Sequence, residues 1–181
     1  TNDEEIKPCR TYFWKKIKDK VQGKAMVEAA LEINHWCAGE VMYQGTDMRT
    51  GSALEIYRSG VGRCGEEAVF VVNVMRSAGI PARPVYVPRW SHCDDNHAWI
   101  EVWCDGDWHY LGACEPEEVL DKGWFTNAAS RAMMIGSRWY DRAMPDEKVI
   151  GKDGMNRIIN LLGKYAKTRW ITITVEDLDG T

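Results

Sequence analysis

The sequence lacks several features that would assign a protein to a class at once. It has no run of about 20 apolar residues, the length that a membrane-spanning helix needs, and it does not open with the charged and apolar segments of a signal peptide. None of its cysteines stands in the Cys-x-x-Cys pair that is typical of zinc and thioredoxin-like sites. Blocks of like charge are missing too, so with a net charge of −4 the chain offers little attraction to nucleic acid or anionic lipid.

The composition that remains is that of an ordinary globular protein. The chain has 181 residues, 45% of them hydrophobic and 28% charged, which is enough for one domain with a sizeable core. A disulfide framework is not needed at this length. Two counts are unusual, namely six cysteines, and nine tryptophans against three phenylalanines. Because the first residue is Thr1 rather than Met, we expect the sequence to be a mature or excised fragment.

Hydrophobic spacing predicts three helices in the first half of the chain. Apolar residues recur at helical intervals over residues 10–21, 24–41 and 63–78. Residues 43–62 are rich in Gly, Ser, Thr and Arg and predict a long irregular loop, a length that is often functional in a compact domain.

The second half of the chain predicts strands. Alternating or β-rich runs predict strands over residues 83–87, 97–104 and 107–113, and a last strand over 168–175. The stretch between, to about residue 155, is predicted to be loop-rich. Helices followed by an antiparallel sheet indicate an α+β fold.

The strands at 97–104 and 107–113 are joined by Asp105-Gly106, a dipeptide that favours a tight hairpin. With these two residues at its centre, Trp103 lies opposite Trp108, and His97 lies opposite Cys114. Residues on the two faces alternate. The apolar face carries Ala98, Ile100, Val102, Leu111 and Ala113, and the mixed face carries His97, Trp99, Glu101, Trp103, Trp108, Tyr110, Gly112 and Cys114. His97 is therefore expected at a strand end, where a polar group is free to act.

Cys64 is the main candidate for a reactive residue. It follows a Gly60-Val61-Gly62-Arg63 loop and lies in the first turn of the third predicted helix, whose positive end lowers the pKa of a thiol. Glu66 and Glu67 in the same turn oppose a thiolate. Free cysteines are most often packed core residues, so the position of Cys64 does not by itself assign a function.

Four blocks of sequence together resemble the core of the transglutaminase-like superfamily. They are Gly62-Arg63-Cys64-Gly65-Glu66-Glu67, Arg76-Ser77-Ala78-Gly79-Ile80-Pro81-Ala82-Arg83, Asn96-His97-Ala98-Trp99-Ile100-Glu101-Val102, and Trp108 in the second hairpin strand. Four blocks in the right order and spacing are more specific than a lone motif. The resemblance spans residues 40 to 120 approximately.

The resemblance implies a papain-like core with N-terminal helices packed on an antiparallel sheet, and a catalytic order of Cys, His and acid. Cys64 would be the nucleophile and His97 the general base. The backbone N–H of Cys64 is the natural first donor to an oxyanion, and Tyr43 or Gln44 is the candidate second donor. Trp99 is expected beside the substrate.

The sequence departs from the family at the acid. The family commonly has an Asp four residues after the Trp of the second hairpin strand, and here that position is Gly112. Our hypothesis is that Glu115 orients His97, provided that a bulge at residues 112–113 shifts the register by one residue and turns Glu115 to the face of His97. The rival candidates are Asp94, Asp95 and Asn96.

Three other interpretations stay open at this stage. His92, Cys93 and His97, with Cys104 or Cys114, could form a metal cluster, although adjacent ligands do not match usual zinc spacing. A disulfide could form in an exported domain. Trp90, Trp99, Trp103 and Trp108 could form a platform for a sugar or peptide, which would make the chain a binding module without catalysis.

The sequence therefore predicts a catalytic domain over residues 1–167 and a C-terminal strand, within 168–181, leading into a further domain. The predicted function is attack by Cys64 on a peptide or protein amide, with the acyl-enzyme resolved by water or by an amine. No cofactor is implied, since neither a phosphate-binding Gly-rich motif nor a regular metal set is present. Multidomain bacterial relatives are often exported, so the resemblance also implies an extracytoplasmic location and a larger parent chain.

Overall fold

The computed structural model describes residues 8–45, 50–140, 147–169, 171–175 and 177. Six helices lie in this part of the chain: α1 (Arg10–Val21), α2 (Met26–Glu40), α3 (Ala53–Ser59), α4 (Cys64–Ser77), α5 (Thr126–Ala129) and α6 (Leu162–Tyr165). The three long helices match the predicted ones to within two residues at each end. No helix of the described ranges is both long and apolar enough to cross a membrane.

The strands of the described residues form two sheets. Their bounds are β1 (Met42–Tyr43), β2 (Val61–Gly62), β3 (Ala82–Val87), β4 (His97–Cys104), β5 (Asp107–Leu111), β6 (Gly136–Tyr140), β7 (Lys148–Asp153) and β8 (Asn156–Asn160). Strands β1 and β2 pair in parallel. The other six form one sheet in the order β5-β4-β3-β6-β8-β7, with every neighbouring pair antiparallel. The α+β architecture with helices on an antiparallel sheet is confirmed.

The hairpin of β4 and β5 has the predicted register, with Trp103 opposite Trp108 and Ile100 opposite Leu111. Its apolar face packs against the helices, where Phe70 and Val74 of α4 are fully buried. The other face is not open to solvent. A second hydrophobic core covers it, built from Val85, Val87, Trp90, Trp99, Phe125, Ala129, Ala132, Ile135, Ile159 and Leu161. The central strands β3 and β4 are therefore buried on both faces.

Two short elements correct the prediction of an irregular loop over residues 43–62. Helix α3 begins after Ser52, whose side chain accepts a hydrogen bond from the N–H of Glu55, and it ends at Gly60 in the left-handed conformation. Leu54 and Ile56 bury its apolar side. Strand β2 then pairs with β1, placing Tyr43 beside Gly62. The segment is thus tied to the chain just before Cys64.

The C-terminal part differs from the prediction in two ways. The stretch predicted to be loop-rich contains β6 and β7, and β7 and β8 extend the sheet beyond β6. The strand predicted over 168–175 is absent from the described residues of that range, and the side chains of Ile171, Ile173 and Val175 are at least 80% exposed. These apolar side chains alternate as in a strand, but they do not pack on an apolar surface of the described residues. The further domain stays a prediction.

Candidate active site

Cys64 is the first residue of α4, as predicted. Glu66 fixes this helix start, because its carboxylate accepts hydrogen bonds from the N–H of Arg63 at 3.0 Å and from the N–H of Gly51 at 3.3 Å. Residues at the first position of a helix have no intrahelical acceptor for their N–H. The N–H of Cys64 is therefore in the position that an oxyanion donor requires.

Opposing effects act on the Cys64 thiol. Burial raises the pKa of Cys64 above its ordinary value, and the negative charges of Glu67 and Glu115 raise it further. The backbone N–H groups of Ala98 and Gly65 lower this pKa by hydrogen bonding to the sulfur. The net shift is upward, so the thiol is protonated at neutral pH when the site is empty.

His97 opens β4 and is only 6% exposed. Its ring is packed among aromatic side chains, with centroid distances of 4.6 Å to Trp124, 5.0 Å to Phe125 and 5.9 Å to Trp99. Burial lowers the pKa of His97 to about 4, so the imidazole is neutral at physiological pH. His97 and Cys64 line one cavity of about 340 Å³, together with Thr50, Arg63, Gly65, Tyr86, Val87, Pro88, Asn96 and Ala98.

Glu115 approaches His97 from the other side. Its Oε2 lies 3.8 Å from Nε2 of His97, and neither atom has a hydrogen-bond partner in the described structure. Its Oε1 accepts a hydrogen bond from the indole N–H of Trp124 at 3.0 Å. Catalytic hydrogen bonds are often long in a site without substrate. With Nε2 directed at Glu115, Nδ1 is the nitrogen of His97 that is available to the thiol.

The backbone reaches this arrangement by a turn and not by the predicted bulge. Strand β5 ends at Leu111, and Gly112 and Glu115 then form an antiparallel bridge in which the N–H of Glu115 donates to the carbonyl of Gly112. Cys114 has a φ of 56°, which lets the chain reverse over two residues. His97 therefore does not pair with Cys114, and Glu115 folds back over Gly112.

Gly112 leaves the space that the Glu115 side chain occupies. A Cβ atom at residue 112 would lie 2.2 Å from Oε2 of Glu115 and 2.7 Å from its Cβ. The position that commonly carries the family's Asp is thus filled here by the side chain of Glu115. The missing side chain at residue 112 and the acid at residue 115 are two parts of one local arrangement.

Asn34 of α2, which the sequence analysis did not single out as a functional residue, holds the turn. Its side chain donates to the carbonyl of Gly112 at 2.9 Å and to that of Glu115 at 3.4 Å, and it accepts from the N–H of Cys114 at 3.0 Å. Asn34 is 1% exposed. A polar residue within the apolar stripe of a predicted helix was the signal that could have identified it.

The two rival carboxylates have other contacts, whereas Asn96 lines the cavity of Cys64 and His97. Asp94 is exposed and pairs with Arg89 at 3.5 Å, and the carboxylate of Asp95 accepts from the N–H of Asn96. Asp95 raises the pKa of His97 through its charge, an effect smaller than that of burial. Of the candidates named from the sequence, Glu115 is the one placed at an ion-pair distance from His97.

The predicted substrate-facing residues have different surroundings. Tyr43 is 66% exposed and lines a cavity that also contains Glu115. The backbone N–H of Gln44 donates to the carbonyl of Gly62 and is not available to an oxyanion. The prediction that Trp99 contacts substrate disagrees with its complete burial, since Trp99 packs behind His97 and donates to the hydroxyl of Tyr165.

The geometry gives little support to the three alternative interpretations, namely a disulfide, a metal cluster and a tryptophan platform. All six cysteines are free thiols. Within the described ranges, no group of three or more His, Cys, Asp or Glu side chains is arranged to hold a metal ion. The tryptophans do not form one platform, because Trp90 and Trp99 are buried in the second core, whereas Trp103 and Trp108 are half-buried further along the hairpin.

Replacing Asn34 tests its hold on the turn. We expect Asn34→Ala to lower the free energy of unfolding by about 1–3 kcal/mol, because it removes the acceptor of the Cys114 N–H and one of the two donors to the buried carbonyl of Gly112. Urea unfolding measures this change, and faster amide exchange at Cys114 should accompany it. Asn127→Ala, at an exposed position of α5, is the control. An Asn34→Ala protein as stable as the wild type would contradict this role.

The carboxyl group of Glu67 makes the stability of the folded protein depend on pH. Burial, followed by the charges of Glu115 and Glu66, raises the pKa of Glu67 from 4.5 to about 8. Between these values the folded protein binds a proton that the unfolded chain has lost, so Glu67 makes stability fall as pH rises towards 8. We expect Glu67→Gln to be more stable than the wild type, by a margin that grows from pH 5 to pH 8, approximately, and then stays constant. Thermal unfolding across this range measures it, and a constant margin throughout would refute the prediction.

Comparisons with known proteins identify the family of this chain. The transglutaminase-like superfamily model matches residues 15–113, which is more than half of the chain. A search of the curated proteins found no match.

The solved structures that match this chain include three of low sequence identity. A candidate cysteine protease from Cytophaga hutchinsonii is 19% identical with a TM-score of 0.49, over 84% of this chain and 57% of its own. LapG of Legionella pneumophila is 15% identical with a TM-score of 0.48, over 64% of this chain and 70% of its own. A structure described as a TGase is 12% identical with a TM-score of 0.46, over 62% of this chain and 34% of its own. On the family-model match, the chain belongs to the transglutaminase-like superfamily.

Proposed function

We propose that the chain is a cysteine-dependent enzyme that attacks peptide or protein amide bonds through an acyl-enzyme. The observation that supports this most is the placement of His97, which shares a cavity with Cys64 and has Glu115 at 3.8 Å from its Nε2. A nucleophile, a base and a group that orients the base are the three parts that covalent acyl transfer requires.

The proposed reaction begins with proton transfer from the Cys64 thiol to Nδ1 of His97. The sulfur then bonds to the amide carbonyl carbon, and the oxygen becomes an oxyanion. His97 returns the proton to the amide nitrogen, the C–N bond breaks, and the amine leaves a thioester on Cys64. Water or a second amine attacks the thioester with His97 as base, and the thiol is released.

The protonation states of Cys64 and His97 suit these reaction steps. Burial lowers the pKa of His97 to about 4 and raises the pKa of Cys64 above its ordinary value. Between these two pKa values the pair holds one proton, either on sulfur or on nitrogen. This is the form that reacts, and it exists across the whole neutral range. Burial raises the pKa of Glu115, while the hydrogen bond from Trp124 lowers it, and the ionised form of Glu115 would stabilise the imidazolium that forms during the reaction.

The oxyanion would be held by donors at the start of α4. The N–H of Cys64 is the proposed first donor, because it points out of the first helical turn. The pairing of β1 with β2 brings Tyr43 next to Gly62. Since the N–H of Gln44 is already bonded, a second donor from this segment would be the hydroxyl of Tyr43 or the side-chain amide of Gln44.

Incubation with a mixed peptide library, with and without a primary amine, tests the proposal. We expect mass spectrometry to detect amide cleavage, deamidation or amine incorporation, and Cys64→Ala to abolish every one of these products. Cleavage or deamidation identifies water as the acceptor, whereas incorporation identifies an amine. Cys93→Ala is the matched control, because Cys93 is an exposed free thiol outside the site. A library left unchanged, or products that persist in Cys64→Ala, would contradict the proposal.

A further inference from the structure

A second cavity lies beside the proposed triad. It has a volume of about 520 Å³, within the range of ligand pockets. Its described lining residues are Ala38, Gly39, Glu40, Val41, Met42, Tyr43, Gly60, Glu67, Cys114 and Glu115. It shares Glu115 with the triad, and Glu67 stands one helical turn beyond Cys64 on α4. A substrate bound at Cys64 would therefore have this cavity within reach.

The ionisable side chains that line this cavity and carry a charge are acidic. Its described lining contains three glutamates, Glu40, Glu67 and Glu115, and no Lys, Arg or His. Helix α2 ends at Glu40, and its last turn carries no basic residue. The last carbonyl groups of a helix bear a partial negative charge and lack intrahelical partners. The end of α2 thus adds to the negative potential of the three carboxyl groups.

Glu67 is the feature that points to a ligand. Its side chain faces the cavity although the residue is only 4% exposed, and no described residue forms a hydrogen bond or ion pair with it. Neighbouring Glu66, by contrast, bonds the N–H groups of Arg63 and Gly51. Buried polar side chains usually have partners, and a buried carboxyl group without one is costly. A cation in the cavity would supply the missing partner.

The side chains that line the cavity favour an organic cation over a metal ion. The described residues hold no cluster of three or more metal-ligating side chains. At the cavity wall, Met42 is 70% exposed and Tyr43 is 66% exposed. An apolar side chain of this kind can cover an aliphatic stem, and an aromatic ring attracts an ammonium or guanidinium group.

We propose that this cavity is a subsite for a positively charged side chain of the substrate, with Glu67 as the residue that determines this specificity. The inference rests on the proposed function, since it assigns to the substrate of Cys64 a lysine-like or arginine-like group beside the amide that is attacked. Glu115 remains the partner of His97, and Glu67 is the counter-ion of the bound group.

The protonation of Glu67 explains how an empty cavity tolerates it. Because burial raises the pKa of Glu67 to about 8, the carboxyl group is largely neutral at pH 7 when nothing is bound. A bound cation favours the ionised form and releases the proton. Glutamine has the shape of the neutral carboxyl group but cannot ionise. Glu67→Gln should therefore fold normally and lose the counter-ion.

The charge preference of Cys64 can be measured without a known substrate. The probes are aminoethyl, hydroxyethyl and sulfonatoethyl methanethiosulfonates, which carry a positive, neutral and negative group. In each reaction the Cys64 sulfur forms a disulfide with the probe and methanesulfinate leaves. Site-resolved mass spectrometry of the full chain at pH 7.5, approximately, gives the rate at Cys64 alone, and the ratio of the cationic to the neutral rate is the readout.

We expect this ratio to fall by about tenfold in Glu67→Gln and to stay unchanged in Glu32→Gln. Glu32 lies on α2 and pairs with Lys24 at 3.9 Å outside the cavity, so its replacement removes a carboxyl group that the cavity does not contain. An equal ratio in all three proteins, or an equal fall in both variants, would overturn the proposal. The neutral probe separately tests the proposed function, because its rate should fall in His97→Ala whatever the ratio does.

Discussion

The hydrogen bonds between Asn34 and the backbone of residues 112–115 are the constraint on which the candidate site depends. They join α2 to the end of the hairpin and fix a turn that strand pairing alone would not produce. The turn carries Glu115 over Gly112 and towards His97. Glu115 thus stands beside His97, although the position that commonly carries the family's Asp, residue 112, is a glycine here.

Burial of β4 on both faces sets the protonation states of the candidate site. The second core and the side chain of Trp124 surround His97 with aromatic rings, and burial lowers the pKa of His97, while burial of Cys64 raises that of the thiol. The pair is therefore neutral in the neutral pH range, and in the proposed reaction its ions form only as the substrate reacts. Burial also raises the pKa of Glu67, and in the proposed subsite this group ionises when a cation binds. In both proposals the substrate brings the charged form into existence.

Local signals in the sequence predicted the elements that carry Cys64 and His97. Helical spacing located α4, and Asp105-Gly106 fixed the register of β4 and β5. The bulge was wrong because the path of residues 112–115 depends on Asn34, a partner 78 residues away in sequence. Strand β6 was missed because its partner β3 lies far before it in the sequence, on the other side of the β4–β5 hairpin, so no local turn signal marks the pairing. The alternation of residues predicted which side chains of β4 and β5 share a face, but it did not predict the second core that covers one of these faces.

The central claim is that Glu115 acts from the place of a side chain missing at residue 112, and moving the acid tests it directly. The measurement is the rate of Cys64 alkylation by iodoacetamide at neutral pH, in the wild type, in Glu115→Gly and in the double variant Glu115→Gly/Gly112→Asp, which has no Cβ at residue 115 to clash with the new side chain. The account predicts a loss of about tenfold or more in Glu115→Gly, and recovery in the double variant, where the carboxylate returns from residue 112. A Glu115→Gly protein whose Cys64 reacts at the wild-type rate would contradict it.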